Sequence, residues 1–392
     1  MPSRDNAAIF PRAALLAMLV AATVLLTPGP AAAAGASFTA LGQLPGSIGD
    51  TEANGVSGDG SVVVGFAWVN SSDNKAFRWT AQGGYEILPD LGPGQSRAND
   101  ASFDGSVVVG QSQFAAVRWT GSGVEQIPLY DSSAVNADGT VVVDYLRWVA
   151  PGTTNDFGSL GGQSTRAFNV SADGQVAVGY SETAGGNRFV HAFRWTPTGG
   201  IKDLGVTGGT ESIAWGISGD GAVVVGEARD QTGFWRAFRW TSSTSMKDIG
   251  TLGGPMSHAS EASRDGSVVV GWSLTSGSSA SDHAFWWTAK AGMRDLKTEL
   301  QARGVTGLEN WLLYAATGLS DDGSVIVGVA RNLVTHEWQP FRAVLPVVTS
   351  TPTPTPTATS SRTPTPSPTR TATPRPTGSA TPTATPSRSP RR

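Results

Sequence analysis

Ala259-Ser260-Glu261-Ala262-Ser263-Arg264-Asp265-Gly266-Ser267-Val268-Val269-Val270-Gly271 sets two short strand-like runs on either side of an Asp-Gly pair. Glycine accepts the positive φ that a tight hairpin turn needs, so Asp-Gly between such runs predicts a β-hairpin. Further on come His283-Ala284-Phe285-Trp286-Trp287-Thr288 and Met293-Arg294-Asp295-Leu296, each again bounded by small or polar residues. The unit therefore reads strand a, tight turn, strand b, loop, strand c, short turn, strand d.

The same grammar occurs seven times, with the aspartates at Asp59, Asp104, Asp138, Asp173, Asp220, Asp265 and Asp322. Their spacings are 45, 34, 35, 47, 45 and 57 residues. Units of this length that cannot bury their apolar faces alone must stack on one another, as in propellers and solenoids. Small residues recur six positions before the aspartate, at Ala53, Ala98, Ser132, Ala167, Ala214, Ala259 and Ala316. The b strands are continuous apolar runs such as Val62-Val63-Val64 and Val325-Ile326-Val327, which predicts sheets covered on both faces. Strand c ends in Trp79, Trp119, Trp148, Trp195, Trp240 and Trp287, mostly after an arginine, and these tryptophans are expected to pack between units.

Two offsets at the ends choose between a ring and an open array. The seventh unit stops after strand c, at Phe341-Arg342-Ala343, and the segment before the first unit, Leu41-Gly42-Gln43-Leu44, repeats the text that elsewhere follows strand c. Residues near Thr39 to Leu44 are therefore expected to complete the seventh unit and close a seven-bladed, all-β propeller of four-stranded blades, removing its free sheet edges. The third unit leaves only two residues between strands b and c and has Asp144 where the others have glycine, so a reduced blade is expected there.

Three segments follow from composition. Residues 1–34, with Arg4 and Arg12 ahead of an apolar run and small residues after it, read as a cleaved export signal too short to span a bilayer. Residues 35–348 form the repeat body. Residues 349–392, almost wholly Thr, Pro, Ser, Ala and Arg, read as an extended, disordered spacer that could reach roughly 130 Å and touch a cell wall or surface. The expected location is therefore secreted or cell-surface. No second apolar run reaches spanning length, so no integral membrane segment is expected in the mature chain.

The chain has 28 basic and 31 acidic residues, but eight of the basic ones and one of the acidic ones lie in the two ends. The body is thus net negative by about ten, which argues against nucleic acid as a partner. Cysteine is absent, excluding disulfides, thiol catalysis and cysteine-ligated zinc.

The repeated His191-Ala192-Phe193 and His283-Ala284-Phe285, together with Asp-Gly-x-Val-Val-Val-Gly and Leu-Gly-Gly elements, resemble the HAF-type extracellular repeat proteins of bacteria. The resemblance covers nearly all of residues 41–346 and implies an extracellular or surface location without an assigned activity. The Asp-Gly turns also resemble the Asp-box hairpins of sialidase-like propellers, where the aspartate bonds its own turn.

No catalytic or metal-binding residue and no cofactor is predicted. His191, His258, His283 and His336 are spread over different units, and lone carboxylates such as Asp203, Asp248 and Asp295 lack the clustered oxygens calcium needs. In a four-stranded meander the b–c loops and d–a links emerge on one face and the Asp-Gly turns on the other. On the loop face Trp68, Phe189, Trp235 and Trp338, in b–c loops, and Trp311, in the longest d–a link, are the candidate ligand contacts; packing at blade junctions is the competing role. The function expected is a non-catalytic binding or surface-interaction module for a glycan or surface protein. The alternatives are a glycan-acting hydrolase or lyase, which needs paired carboxylates on that face, and a structural envelope component.

Overall fold

The computed structural model describes residues 35–185, 189–277 and 281–346. The expected export signal, residues 1–34, and the expected Pro/Thr-rich spacer, residues 349–392, lie outside the described residues. Within them the chain forms seven four-stranded antiparallel sheets, each in the order a, b, c, d. Blade 1 is Thr51–Val56, Val62–Trp68, Asn74–Thr80 and Gly84–Ile87. Blade 7 takes three strands from the chain's end, Trp311–Leu319, Val325–Asn332 and Trp338–Val344, and its fourth from the beginning, Ser37–Ala40. In that closure Phe38 pairs with Ala343 and Ala40 with Phe341. The closing strand lies slightly earlier in the chain than the sequence predicts. Among the described residues no helix is long and apolar enough to cross a membrane.

Blade 3 is reduced but complete, with strands Ala134–Val135, Val141–Val143, Leu146–Val149 and Thr153–Asp156. One element has no counterpart in the repeat. The helix Leu296–Ala302 occupies the link between blades 6 and 7, capped by the Asp295 side chain on the amide of Thr298, with Leu296 and Leu300 buried.

The valine runs do what their composition predicts. Val63, Val64, Val109, Val142, Val143, Val178, Val224, Val225, Val269 and Val270 have no exposed surface, and each contributes about 1.5–3 kcal/mol of apolar burial. Trp119, Trp148, Trp195 and Trp240 are buried between blades. The arginine that precedes them has a job of its own. Arg118, Arg147, Arg194 and Arg239 each donate to the carbonyl of the turn glycine in the next blade, Gly139, Gly174, Gly221 and Gly266. Arg342 does the same for Gly60, carrying the stitch across the closure from blade 7 to blade 1.

The Asp-Gly turns hold themselves, as expected. In blade 1 the Ser57 hydroxyl donates to Asp59 Oδ1 at 2.7 Å, and the Ser61 amide donates to the same oxygen at 2.9 Å. All seven turn glycines sit at φ between 63° and 75°, a region costly for a residue with a Cβ.

The glycine that ends six of the seven b-strand apolar runs has a different cause. In six blades strand a carries a β-bulge just after its small residue, for example between Ala214 and Gly216. The bulge pushes a strand-a carbonyl against strand b. A Cβ at Gly226 would overlap the carbonyl oxygen of Ile213, and at Gly65 that of Glu52. Blade 3 has no bulge, and there Asp144 replaces the glycine with its side chain fully buried.

The seven a strands line a central channel. At the Asp-Gly face the residues preceding the turn aspartates form a closed ring of seven inter-blade backbone hydrogen bonds of 2.8–3.1 Å, running through residues 58/59, 103, 137, 172, 219/220, 264 and 321. Phe103 extends from blade 2 to within 5.9 Å of the Arg264 guanidinium of blade 6, and Arg264 pairs with Asp321 of blade 7.

Candidate functional site

The channel widens toward the loop face into a cavity of about 560 Å³, in the range of small-molecule sites at about 300–1,000 Å³. Its wall comes from the bulge positions and the residues beside them. Asn54, Asn99, Ser133, Phe168, Trp215, Ser260 and Thr317 occupy the bulge position or its blade 3 equivalent and line the cavity. Bulges commonly re-aim side chains in this way.

One arc of the wall is an ordered stack. Arg166 lies 5.2 Å from the Phe168 ring, Phe168 stacks on Trp215 at 4.3 Å and 17°, Trp215 meets His258 at 5.3 Å, and His258 stacks on Trp272 at 5.6 Å and 7°. These contacts join blades 4, 5 and 6. On the next arc Asp131 receives Arg97 and Arg166, both at 3.2 Å, and Arg166 also holds Asp144 at 2.8 Å. His258 Nδ1 is 3.1 Å from Glu227.

Below the wall three blades send polar side chains into the neck. Glu261 accepts from the Asn169 amide at 2.7 Å and from the Ala262 N–H at 2.9 Å. Asp100 accepts from Ala101 and from Val135 of the next blade, at 2.8 and 2.9 Å. Both lie deep, although channel solvent reaches part of each. Burial pushes Asp100 up to about 6 and Glu261 up to about 8, with the nearby Asp100 charge adding to the rise at Glu261. Glu52, nearer the mouth, is raised by burial and by Asp50.

This has a consequence for stability. Glu261 titrates near 4.5 when unperturbed and at about 8 in the fold, so between those values the folded chain binds a proton that the unfolded chain does not. Stability is then highest at the acid end of the window and falls as pH rises toward 8. The thermal midpoint is expected to drop by about 3 °C or more across this window, and Glu261→Gln to flatten the slope and raise the midpoint at pH 8. Scanning calorimetry across the pH series measures both; an unchanged slope in the variant would assign the titration elsewhere.

The five aromatics predicted from sequence are distributed differently. Trp68 ends a b strand, Trp235 and Trp338 begin c strands, and Trp311 begins the a strand of blade 7; only Phe189 lies in a loop. The placement of four of them in loops or links is therefore corrected: the sheets extend further toward that face than the repeat text suggests. No two of them appear together in an aromatic contact among the described residues. Trp235 lies under Arg229 at 4.5 Å, Trp338 meets Tyr314 at 5.0 Å with Arg331 at 5.7 Å, Trp311 packs on Phe38 at 5.7 Å, and Trp68 faces Phe66 at 6.4 Å. None of them lines the cavity; Trp338 instead lines a smaller pocket with Asp50, Glu52 and Tyr314.

His191 and His283 each bond a carboxylate of their own blade, Asp203 at 2.9 Å and Asp295 at 2.6 Å. Among the described residues no three His, Asp or Glu side chains form a group able to hold a metal. Sequence reasoning passed over Phe168, Trp215, Arg166, Glu52 and Glu261. For Phe168 and Trp215 the repeat carries a signal: the position after the recurrent small residue holds Asn54, Asn99, Ser133, Phe168, Trp215, Ser260 and Thr317 and so changes from blade to blade.

This architecture defines a β-propeller closed by its N-terminal strand. No family model matches the chain, and no curated protein matches it. Among solved structures it is similar to oligogalacturonate lyase from Vibrio parahaemolyticus, with 12% identity, a TM-score of 0.50, and coverage of 79% of this chain and 93% of that one. It is also similar to the β-propeller domain of the Trilobed protease from Pyrococcus furiosus, with 11% identity, a TM-score of 0.45, and coverage of 79% and 95%. TolB from Acinetobacter baumannii gives 12% identity, a TM-score of 0.38 and coverage of 74% of this chain, which spans 64% of the TolB length. At these identities the likeness shows the fold alone.

Proposed function

We propose that this chain is an exported, non-catalytic binding module of the HAF-type repeat class, which takes a saccharide into the bowl at the channel mouth. The observation that carries the reading is the bowl itself. It is concave, about 560 Å³ in volume, and walled by fixed arginine, carboxylate and aromatic side chains. A concave site of that size suits the end of a small polar ligand better than the flat face of a protein. The stack and ion pairs that line it hold their positions before any ligand arrives, which lowers the entropic cost of binding.

The enzymatic reading draws support from Asp100 and Glu261, two neighbouring carboxyls pushed to different pKa values. Each is already engaged by backbone amides, and this favours a structural role over proton transfer.

Screening the purified full chain on a glycan array, with and without calcium, tests the proposal. At least one saccharide should bind, and Ser260→Trp, which fills the bowl from its wall, should abolish that binding without lowering the melting temperature. Binding that survives this substitution would move the site to the outer rim. Release of shortened or unsaturated sugar would establish the enzyme instead.

A further inference from the structure

The bowl is lopsided in hydrogen-bonding character. Asn54 Nδ2 donates to the Ala98 carbonyl at 2.8 Å, and Asn99 Nδ2 donates to the Ser132 carbonyl at 2.8 Å. A carbonyl can only accept, so both amide nitrogens must turn to the wall, and both amide oxygens are left for the bowl. Thr317 spends its hydroxyl proton in the same way, on the Ala53 carbonyl at 2.8 Å. These three oxygens therefore offer acceptors to the neck, beside the Ser133 and Ser260 hydroxyls, which can serve either way.

Its charges point the same way. Arg97 and Arg166 are committed to Asp131 and Asp144, and His258 lies against Glu227. Glu52, Asp100 and Glu261 have no cationic partner among the described residues. Three carboxyls and two amide oxygens, from blades 1, 2 and 6, thus face a space with no free cation. The aromatic arc does not change this balance, because Phe168 has Trp215 on one side and Arg166 nearby, and His258 stacks on Trp272. Face-on stacking of a sugar against those rings is largely pre-empted. Since among the described residues no three carboxylate or imidazole groups converge enough to hold a metal, the spread acceptors suit a cation that donates hydrogen bonds.

We propose that the ligand presents an ammonium group to this acceptor-lined neck, and that its chemical class is the amino sugar. The inference rests on the bowl being the binding site. A sugar ring carrying an ammonium and several hydroxyls offers donors in several directions, matching acceptors held by separate blades. A lysine arm brings its donors at one tip only, and pays more rotamer entropy on burial.

Proton release gives the binding a signature. Facing Glu261 are Asp100 of blade 2, Asp321 of blade 7 and Asn169 of blade 4, while Gly216 of blade 5 brings no charge. At neutral pH the Glu261 carboxyl holds its proton; an ammonium arriving beside it favours the carboxylate, and the proton passes to the buffer.

Calorimetric titration of the full chain with glucosamine oligomers and with their N-acetylated counterparts, in two buffers of different ionisation enthalpy at pH 7 and with the amine's own proton uptake subtracted, tests this directly. The amine form should bind about tenfold tighter or more, with a buffer-dependent enthalpy that reports proton release. Glu261→Gln should remove the buffer dependence, and Glu52→Gln, which alters no inter-blade contact, should weaken binding several-fold while the melting temperature holds. Equal or tighter binding of the N-acetylated form, or no buffer dependence in the unsubstituted chain, overturns the proposal. Tighter binding of a lysine oligomer overturns the sugar class, and calcium displacing the amine would reassign the neck to a metal. If neither sugar form binds while the array still yields a ligand sensitive to Ser260→Trp, the ammonium inference falls and the bowl remains the site.

Discussion

A chain truncated to begin at Gly42 is expected to melt about 10 °C or more below the full-length protein and to self-associate. The lost residues include Ser37–Ala40, which among the described residues is the one strand that joins the start of the chain to its last blade. Removing them strips Phe38 from Phe341 and Trp311, and Leu41 from the cluster around Ala53, Val63 and Val327. Lost apolar burial and four residues of strand pairing together cost about 4 kcal/mol or more. At roughly 2–4 °C per kcal/mol for a domain of this size, that gives the expected shift. The truncation also bares the outer edge of Trp338–Val344, a template for pairing with another chain. Calorimetry and size-exclusion chromatography measure both effects, and a synthetic peptide of residues 35–44 added in trans should recover part of the midpoint by strand addition. A truncated protein that melts like its parent would mean that face-to-face contacts between blades 7 and 1 suffice.

The second large effect is expected from one methyl group. Gly226→Ala places a Cβ on the carbonyl oxygen of Ile213, where the neighbour is backbone and cannot swing aside. Either the bulge at Ala214 and Gly216 must flatten or strand b must shift, and overpacking of this kind costs about 3 kcal/mol or more. Thermal denaturation should show a drop of roughly 6–12 °C. The equivalent exchange at Gly121, in an open turn where a Cβ meets nothing within 4 Å, should shift the midpoint by about 1 °C at most. Comparable losses at both positions would remove the bulge as the reason for the glycine.

The ring and its closure were legible because they rest on local chemistry: Asp-Gly turns, unbroken valine runs and a spare strand at one end. The reduced third blade was legible too, through Asp144. The reason for its departure was not, since the link between the missing glycine and the missing bulge exists only across two paired strands. The helix Leu296–Ala302 was hidden because its opening, Met293-Arg294-Asp295, repeats a strand d, and Asp295 then serves as the helix cap. The bowl escaped for a related reason. Exposed aromatics are expected on loops, whereas Phe168 and Trp215 sit inside strands and face the channel only through the bulge. Arg166 is remote in sequence from Asp131 and Asp144, and it meets them only when blades 3 and 4 come side by side.

The hydrogen-bonded ring at the Asp-Gly face, with Phe103 laid toward Arg264, ties all seven blades to one another at the narrow end of the bore, around a space of about 80 Å³. A blade cannot swing outward at that end without breaking two of these bonds. Any give in the ring on ligand entry is thereby confined to its wide end, where the bowl lies.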